Sequence, residues 1–258
     1  MRRLRERITL CALAFLVAGI SLPALPAPPA LPAQSPRPAL PAPPAPPARP
    51  APSRSSGRLF APQDLGLLEG PDRDQWQKPD QIMDALMIAE GSVVADLGAG
   101  GGWFTARLSA RVGPNGSVYA EDIQPLMIEA IQRRILRENL RNVRPVLGTA
   151  NDPRLPPATI DAALIVEVYR EMEIPPADPV MLFKRVAESL KPDGRLGVVD
   201  FNPGGGGPGP APDQRVDPEA VIKVATAAGL RLVAREPQAN PFQFLLVFGK
   251  AASSRVSQ

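Results

Sequence analysis

The sequence contains no histidine and a single cysteine, Cys11, among its 258 residues. Without an imidazole, catalysis by a histidine base or a Ser-His-Asp triad is excluded. Because Cys11 lies in an apolar N-terminal stretch, disulfides, thiolate nucleophiles and Cys/His zinc sites are excluded for the rest of the chain. Carboxylates, Lys, Tyr, hydroxyls and backbone groups are left to supply any chemistry.

The excess of positive charge is confined to the N-terminal part of the chain. The whole sequence carries 29 Lys and Arg against 26 Asp and Glu, a net charge of +3. Residues 1–56 contain seven Arg and one Glu, which leaves the remainder with a net charge of −3. A general nucleic-acid-binding domain has a basic footprint of its own. We therefore expect no nucleic-acid partner, and no residue pattern indicates a bound metal.

Residues 1–27 have the pattern of an export signal. Four arginines precede an apolar run from Ile8 to Leu22, and Pro23 ends any helix. The run is shorter than the ~20 residues that span a bilayer comfortably, and it fits the apolar region of a secretory signal peptide. We predict a signal peptide or a signal anchor here, so the protein is expected to be exported (periplasmic or extracytoplasmic) or tethered to the membrane through this segment.

Residues 28–56 are predicted to form a disordered Pro/Ala-rich linker. Fourteen of the 34 prolines lie between Pro23 and Pro52. Such a segment cannot bury enough apolar surface to offset its ordering entropy, and it favours an extended polyproline spacer. This leaves residues 57–250 as one folded domain, followed by a flexible tail over 251–258.

The folded part alternates between strand-like and helix-like segments. Strands are predicted at Ser92–Leu97, Ser117–Asp122, Val143–Leu147, Asp161–Val168, Arg195–Asp200, Arg231–Ala234 and Phe242–Phe248. Helices are predicted around Ile82–Met87 and at Trp103–Val112, Leu126–Glu138, Pro179–Leu190 and Asp217–Ala228. This alternation predicts an α/β fold with a mostly parallel seven-stranded sheet and helices on both faces. Because no helix separates the last two strands, we expect them to form a C-terminal antiparallel hairpin.

The most informative segment is a strand that runs through a glycine-rich turn directly into a helix. Asp96 ends the strand, and the turn places glycines at 98, 100, 101 and 102. Glycines allow a tight turn and let a ligand approach bare backbone. Trp103 occupies the position of the third glycine in a dinucleotide-binding turn, and no Lys-Ser or Lys-Thr follows as in a P-loop. A nucleotide-dependent oxidoreductase is therefore disfavoured.

Asp122 ends the next strand, 20 residues beyond Gly102. This separation suits a carboxylate that accepts hydrogen bonds from a ribose diol. The alternative is that the glycines form only a tight connection and that Asp122 caps a helix.

These residues resemble the class I S-adenosylmethionine-dependent methyltransferases, in particular bacterial members with an exported leader. The resemblance covers about residues 69–250 and implies a Rossmann-like methyltransferase fold. It rests on the Asp96–Gly102 turn with Asp122, on the Arg-Asp-x-Trp-Gln-x-Pro segment at 73–79, on Asp152–Pro156, and on the Leu190–Gly194 turn.

The resemblance implies that S-adenosyl-L-methionine is the cofactor and that nine residues bind it: Asp96, Gly98, Ala99, Gly100, Gly102, Asp122, Ile123, Asn151 and Asp152. Asp122 would hold the ribose hydroxyls and Ile123 would flank the adenine. Asn151 or Asp152 would lie near the adenine amino group, and this chain has Thr149 where many relatives have Asp.

The fourth strand delivers three candidate catalytic residues to the same edge of the sheet: Glu167, Tyr169 and Glu171. A glutamate could accept a proton and Tyr169 could orient a substrate, although relatives often have His where this chain has Arg170. The alternative is a solvated charged loop. Trp76 and Gln77 would either form a lid over the cofactor or pack an N-terminal helix.

The sequence thus predicts a methyltransferase that acts on a small molecule or an envelope component by in-line displacement. The alternative function is a non-catalytic binding or scaffold protein that keeps the fold.

Overall fold

A computed structural model describes residues 58–204, 206–236 and 242–251. The predictions for the export signal, for the Pro/Ala-rich linker and for residues 252–258 of the tail lie outside the described residues. Within the described part of the chain, no helix combines the length and apolar character needed to cross a membrane.

A seven-stranded sheet forms the centre of the domain. Its strands are β1 (Val93–Leu97), β2 (Ser117–Asp122), β3 (Val143–Leu147), β4 (Ile160–Val166), β5 (Leu190–Phe201), β6 (Leu230–Glu236) and β7 (Gln243–Lys250). Their order is β3-β2-β1-β4-β5-β7-β6. The first five are parallel, and β7 pairs antiparallel with both β5 and β6. The predicted mostly parallel sheet and its C-terminal antiparallel hairpin are confirmed.

Among the described residues, six α-helices connect or precede the strands: α1 (Arg73–Gln77), α2 (Pro79–Ala85), α3 (Trp103–Val112), α4 (Pro125–Glu138), α5 (Pro179–Ser189) and α6 (Pro218–Ala227). Asp178 and Asp217 cap α5 and α6 by accepting backbone N–H groups of the first turn. Two 3-10 helices, Pro62–Leu68 and Tyr169–Glu173, lie near the carboxyl ends of the strands. Sequence periodicity did not predict either of them.

Apolar side chains cover the sheet on both faces, as predicted. One core joins β-strand residues to α5 and α6 through Phe183, Val186 and Val221. The other joins the opposite face to α2 and α3 through Ile82 and Leu108. The near-continuous burial of β4 and β7 follows from this double coverage.

One predicted helix is shorter than its apolar pattern suggested. Ile82, Met83, Leu86 and Met87 were predicted to share one face of a helix. The helix ends at Ala85, and Met87 has a left-handed φ of 55° and is 62% exposed. The chain turns here to enter β1, so tertiary connection overrides the local periodicity.

Candidate functional site

A cleft opens at the carboxyl ends of β1, β2 and β4. From β1 the sheet continues to one side through β2 and β3, and from β4 it continues to the other side through β5. The topological switch point of the sheet therefore lies between β1 and β4. Ligands of open α/β sheets bind at such a point because the loops on its two sides diverge. The cleft is lined by residues that follow these strands and by residues that precede α1.

The glycine-rich turn exposes its backbone to this cleft. Gly98, Gly100 and Gly102 all have positive φ, between 56° and 79°, which side chains rarely adopt. At Gly98 an added Cβ would also meet the Val168 side chain at 2.8 Å. Gly98, Ala99 and Gly100 line the cleft, and Gly102 is the N-cap residue of α3. The contact of Gly102 with the cofactor stays a prediction.

Asp96 lies at the floor of the cleft and is 2% exposed. Its Oδ2 accepts a hydrogen bond from the Thr105 hydroxyl at 2.5 Å. Burial raises the pKa of Asp96 to about 6, although the Thr105 hydrogen bond opposes this shift. The side chain is thus fixed by α3 and presents a carboxyl group to the space above the turn.

Asp122 joins β2 to the glycine turn. Its Oδ2 accepts the Gly100 N–H at 3.0 Å and its Oδ1 accepts the Gln124 N–H at 2.9 Å. A carboxylate has about four lone-pair sites, so acceptor capacity remains for a diol. Gln124, and not Asp122, occupies the N-cap position of α4. The helix-cap alternative is therefore excluded.

The end of the cleft beyond Asp122 is formed by Ile123, Thr149 and Ala150. Asn151 and Asp152 do not line it. The Asn151 Oδ1 accepts the Asp178 N–H at 2.6 Å, and the Asp152 Oδ1 accepts the Arg154 N–H at 2.8 Å. Both side chains are held by the local turn and by the start of α5. Because they directly follow the lining residues Thr149 and Ala150, their placement near the adenine stays a prediction.

Glu121 is a cleft residue that the sequence reasoning missed. It is 4% exposed, lines the cleft and accepts a long hydrogen bond from the Gly98 N–H at 3.4 Å. Burial, together with the charge of Asp122, raises the pKa of Glu121 to about 8. The signal was present in the sequence as a second carboxylate beside Asp122 at the strand end.

A buried polar network closes the opposite end of the cleft. Arg73 pairs with Glu167 at 3.4 Å and donates to the Gln77 Oε1 at 3.1 Å. Gln77 donates to Gln243, and Gln243 donates to the Glu167 Oε1, both at 2.8 Å. The four side chains thus form a ring that joins α1, β7 and the residue after β4. Arg73 and Gln243 were not predicted, because only the folded chain brings these elements together.

Arg73 also stacks over the Trp103 ring, with its guanidinium carbon 4.2 Å from the ring centroid. Trp76 packs against Phe201, and Gln77 is fully buried. Of the two predicted roles for Trp76 and Gln77, the structure therefore favours packing of the N-terminal helix over a lid.

The three candidate catalytic residues do not share one environment. Glu167 and Glu171 line the cleft, but Tyr169 does not. The Tyr169 ring is fully buried against Phe183, and burial raises the pKa of its hydroxyl above its usual value. The 3-10 helix at 169–173 turns this side chain into the core, which contradicts its predicted role in orienting a substrate.

Residues 58–69, here called the strap, run across the mouth of the cleft. The Phe60 N–H donates to Glu171 at 3.0 Å, and Gln124 donates to the Phe60 carbonyl at 3.1 Å. Leu65 lies against the glycine turn, where a Cβ on Gly101 would meet it at 3.3 Å. Glu69 forms an ion pair with Arg134 of α4. The strap thereby bridges the loops that follow β2 and β4.

The geometry fits S-adenosylmethionine. A ribose diol matches Asp122, bare backbone at Gly98–Gly100 permits close approach of the amino-acid part, and Asp96 suits its ammonium group. Apolar side chains such as Leu59, Leu68 and Ile123 cover the remaining surface.

Comparison with known proteins finds similarity to methyltransferases. The family described as a methyltransferase domain matches residues 94–194, which include the glycine turn, Asp122 and Glu167. An uncharacterised methyltransferase of Mycobacterium tuberculosis is 34% identical over 128 residues, which are 50% of this chain and 47% of the relative. The chain thus spans about half the length of the curated relatives that it matches.

Solved structures establish the fold. A methyltransferase structure from Aquifex aeolicus superposes with a TM-score of 0.68 at 24% identity, covering 74% of this chain and 98% of that one. An O-methyltransferase from neocarzinostatin biosynthesis has a TM-score of 0.56 at 18% identity, covering 73% of this chain and 56% of its own. That structure is a complex with S-adenosylhomocysteine and 1,4-dihydroxy-2-naphthoic acid.

Proposed function

We propose that this protein is a class I S-adenosylmethionine-dependent methyltransferase that transfers a methyl group to a small-molecule or envelope-associated acceptor. Its cofactor is S-adenosyl-L-methionine. The observation that carries the proposal is the joint placement of Asp96, the Gly98–Gly100 backbone and Asp122 around one cleft. A protein that kept only the scaffold would have no need of this arrangement.

The residues of the glycine turn and the strand ends bind and orient the cofactor. Asp122 holds the ribose through its free lone pairs, while the Gly100 and Gln124 N–H groups keep its carboxylate in place. Asp96 holds the ammonium group, and its own orientation is fixed by Thr105. When bound, the cofactor supplies an electrophilic methyl group on a sulfonium that is already a good leaving group.

The acceptor enters between the strap and the ring formed by Arg73, Gln77, Gln243 and Glu167. This part of the cleft is mainly apolar, with Phe60, Leu68 and Met172 in its walls. Such walls favour an acceptor with a flat or extended apolar body and exclude water from the reacting atoms. A small-molecule acceptor is supported by the neocarzinostatin-pathway neighbour, whose structure contains a dihydroxynaphthoic acid.

Glu167 is the group best placed to take up the acceptor's proton. It is buried, lines the cleft and is held by Arg73 and Gln243 on two sides. Glu167 would take up the proton that the acceptor loses on methylation, and the bound cofactor would supply the methyl group from its sulfonium. Much of the acceleration comes from positioning and from exclusion of water by the strap.

Calorimetric titration of the full chain with S-adenosylmethionine and S-adenosylhomocysteine, with NAD as the control, tests the cofactor site. We expect micromolar binding of the first two ligands and none of NAD. Asp122→Ala should weaken binding by about 1.5–3 kcal/mol, because it removes paired hydrogen bonds to the ribose. Absence of binding by the folded wild type would leave the non-catalytic scaffold alternative in place.

The acceptor is sought with cofactor that carries a radiolabelled methyl group, incubated with envelope fractions and with small-molecule extracts. Methyl transfer should be lost in Glu167→Gln and retained in Glu129→Gln, a change at an exposed glutamate of α4. This result would support Glu167 as the group that takes up the acceptor's proton. Cofactor binding without transfer to any fraction would support a non-catalytic binding protein.

We also propose that residues 1–27 direct the protein out of the cytosol or anchor it to the membrane, with the domain joined to them by the Pro/Ala-rich segment. The support is the basic and apolar pattern of this segment. Cell fractionation of the full chain, with a variant that lacks residues 2–22 as the control, tests it. Identical distribution of the two proteins would contradict the proposal.

A further inference from the structure

The proposed cofactor contacts would place the base at the β3 side of the cleft. The glycine turn follows β1, and Asp122 ends β2, which lies between β1 and β3 in the sheet. With the amino-acid part over the turn and the ribose on Asp122, the base would extend towards the end of β3. Ile123, Thr149 and Ala150 line this end.

The polar side chains of the turn that follows β3 are already engaged. The Thr149 hydroxyl donates to the Asp152 carbonyl at 3.3 Å and accepts the Asp152 N–H at 3.1 Å. Asn151 bonds the backbone at Asp178, and neither Asn151 nor Asp152 lines the cleft. Thr149 therefore has little remaining capacity to recognise a base.

Each of the other carboxyl groups of the cleft is held by a closer protein partner. Asp96 accepts from Thr105, Asp122 accepts two backbone N–H groups, and Glu171 accepts from Phe60. Glu167 is held by Arg73 and Gln243. Glu121 differs from all four, because the one hydrogen bond of its carboxyl group among the described residues is the 3.4 Å contact from the Gly98 N–H.

The structure also keeps space for the Glu121 carboxyl. A Cβ on Gly148, the residue after β3, would lie 1.9 Å from the Glu121 Oε1. Gly148 does not have the positive φ that would by itself require glycine. The Glu121 carboxyl, which lies between the end of β2 and the end of β3, therefore explains why position 148 has no side chain.

We infer that Glu121 recognises the adenine of the cofactor, by accepting a hydrogen bond from the exocyclic amino group and donating one to the adjacent ring nitrogen. This inference rests on the proposed function and adds a residue that selects the base. A neutral carboxyl has one acceptor and one donor, which matches the acceptor and donor pattern of an adenine edge.

The surroundings of Glu121 favour that neutral form. The charged groups that face it are Asp96, Asp122 and Asp152, all acidic, and no Lys or Arg of the described ranges pairs with it. Burial and the charge of Asp122 raise its pKa to about 8. At neutral pH the carboxyl therefore keeps the proton that it needs to act as a donor.

The test compares S-adenosylhomocysteine with its analogue that has hydrogen in place of the 6-amino group. Each is titrated calorimetrically at pH 7 into the full-length wild type, Glu121→Met, Glu121→Gln and the control Glu129→Gln. We expect the wild type and Glu129→Gln to prefer S-adenosylhomocysteine by at least about fivefold, since the analogue leaves a buried acceptor unpaired. Glu121→Met should reduce this preference to less than twofold.

Glu121→Gln should retain the preference, because a glutamine amide also offers one acceptor and a donor. The ratio is measured within each variant, so a smaller folded fraction does not change it. An unchanged preference in Glu121→Met overturns the inference. Equal binding of both ligands by the wild type also overturns it, and this result does not depend on whether Glu121→Met folds. Failure of the wild type to bind either ligand would instead contradict the proposed function.

Discussion

The Arg73 guanidinium lies 3.4 Å from the Glu167 carboxylate, and both side chains are 9% exposed. The pair joins a helix that precedes the sheet to the residue that follows β4. Glu167 also has a φ of 60°, a backbone conformation that is uncommon for a side chain larger than glycine. Such strain is retained where surrounding contacts fix the residue, as the network of Arg73, Gln77 and Gln243 does here.

Removal of one partner should destabilise the protein more than removal of both. Arg73→Met leaves the Glu167 charge buried without its cation, and we expect a loss of about 3–5 kcal/mol in the free energy of unfolding. The double variant Arg73→Met with Glu167→Gln should recover much of this loss. Urea denaturation of both single variants and the double variant measures the coupling. Strictly additive losses would show that the two side chains do not stabilise each other.

Gly148 and Glu121 offer a second pair whose coupling can be measured. Gly148→Ala should destabilise the wild type by about 1–3 kcal/mol, because the new methyl group overlaps the Glu121 carboxyl. In a Glu121→Ala background the same change should cost less than about 1 kcal/mol, since the obstructing oxygen is gone.

Gly66→Ala serves as the control for this pair, because a Cβ there would have no neighbour within 4 Å. Its effect should stay within about 0.5 kcal/mol in both backgrounds. If Gly148→Ala lowered the free energy of unfolding equally with and without the Glu121 side chain, the proposed overlap between the alanine methyl group and the Glu121 carboxyl would be contradicted.

Stability should fall as the pH rises from about 4.5 to about 8. Glu121 has a pKa of about 8 in the folded chain, compared with 4.5 in the unfolded one. The folded protein therefore keeps a proton that the unfolded chain releases, so rising pH favours unfolding until the folded carboxyl ionises. Asp96, with a pKa of about 6, contributes in the same direction between about 3.8 and 6.

Glu121→Gln removes the contribution of Glu121 to the pH dependence of stability, because the glutamine amide does not titrate. The free energy of unfolding of this variant should change less between pH 6 and pH 8 than that of the wild type. Chemical denaturation at several pH values measures the difference. A wild-type slope equal to that of Glu121→Gln would show that Glu121 is ionised in the folded protein.

The order of strands and helices could be predicted from sequence because it depends on local periodicity and on the turn residues. The glycine turn and Asp122 were likewise placed correctly, since spacing along two adjacent parallel strands fixes their separation. Tyr169 was misplaced because the strand was predicted to extend to Val168, whereas it ends at Val166 and a 3-10 helix beginning at Tyr169 buries this side chain. Only the fold brings Arg73 and Gln243, 170 positions apart in the sequence, to the same carboxylate.

The strap should slow the release of the cofactor. Glu69 anchors its C-terminal end to Arg134, whose Nε also donates to the Gly101 carbonyl at 2.7 Å. Glu69→Gln removes one partly exposed ion pair, which is worth about 0.2–1 kcal/mol, and Leu65→Ala removes the apolar contact with the glycine turn. We expect the double variant to release S-adenosylhomocysteine at least about threefold faster than the wild type, on the basis of these losses.

Stopped-flow displacement of bound S-adenosylhomocysteine, followed by tryptophan fluorescence, measures this rate because Trp103 lines the cleft. Asp64→Asn, a change at an exposed position of the same strap, is the matched control and should leave the rate unchanged. If the double variant and the control released the ligand at the wild-type rate, the strap would have no part in retention. Faster release with an unchanged urea midpoint would instead show that the contacts of Leu65 and Glu69 close the cleft without supporting the fold.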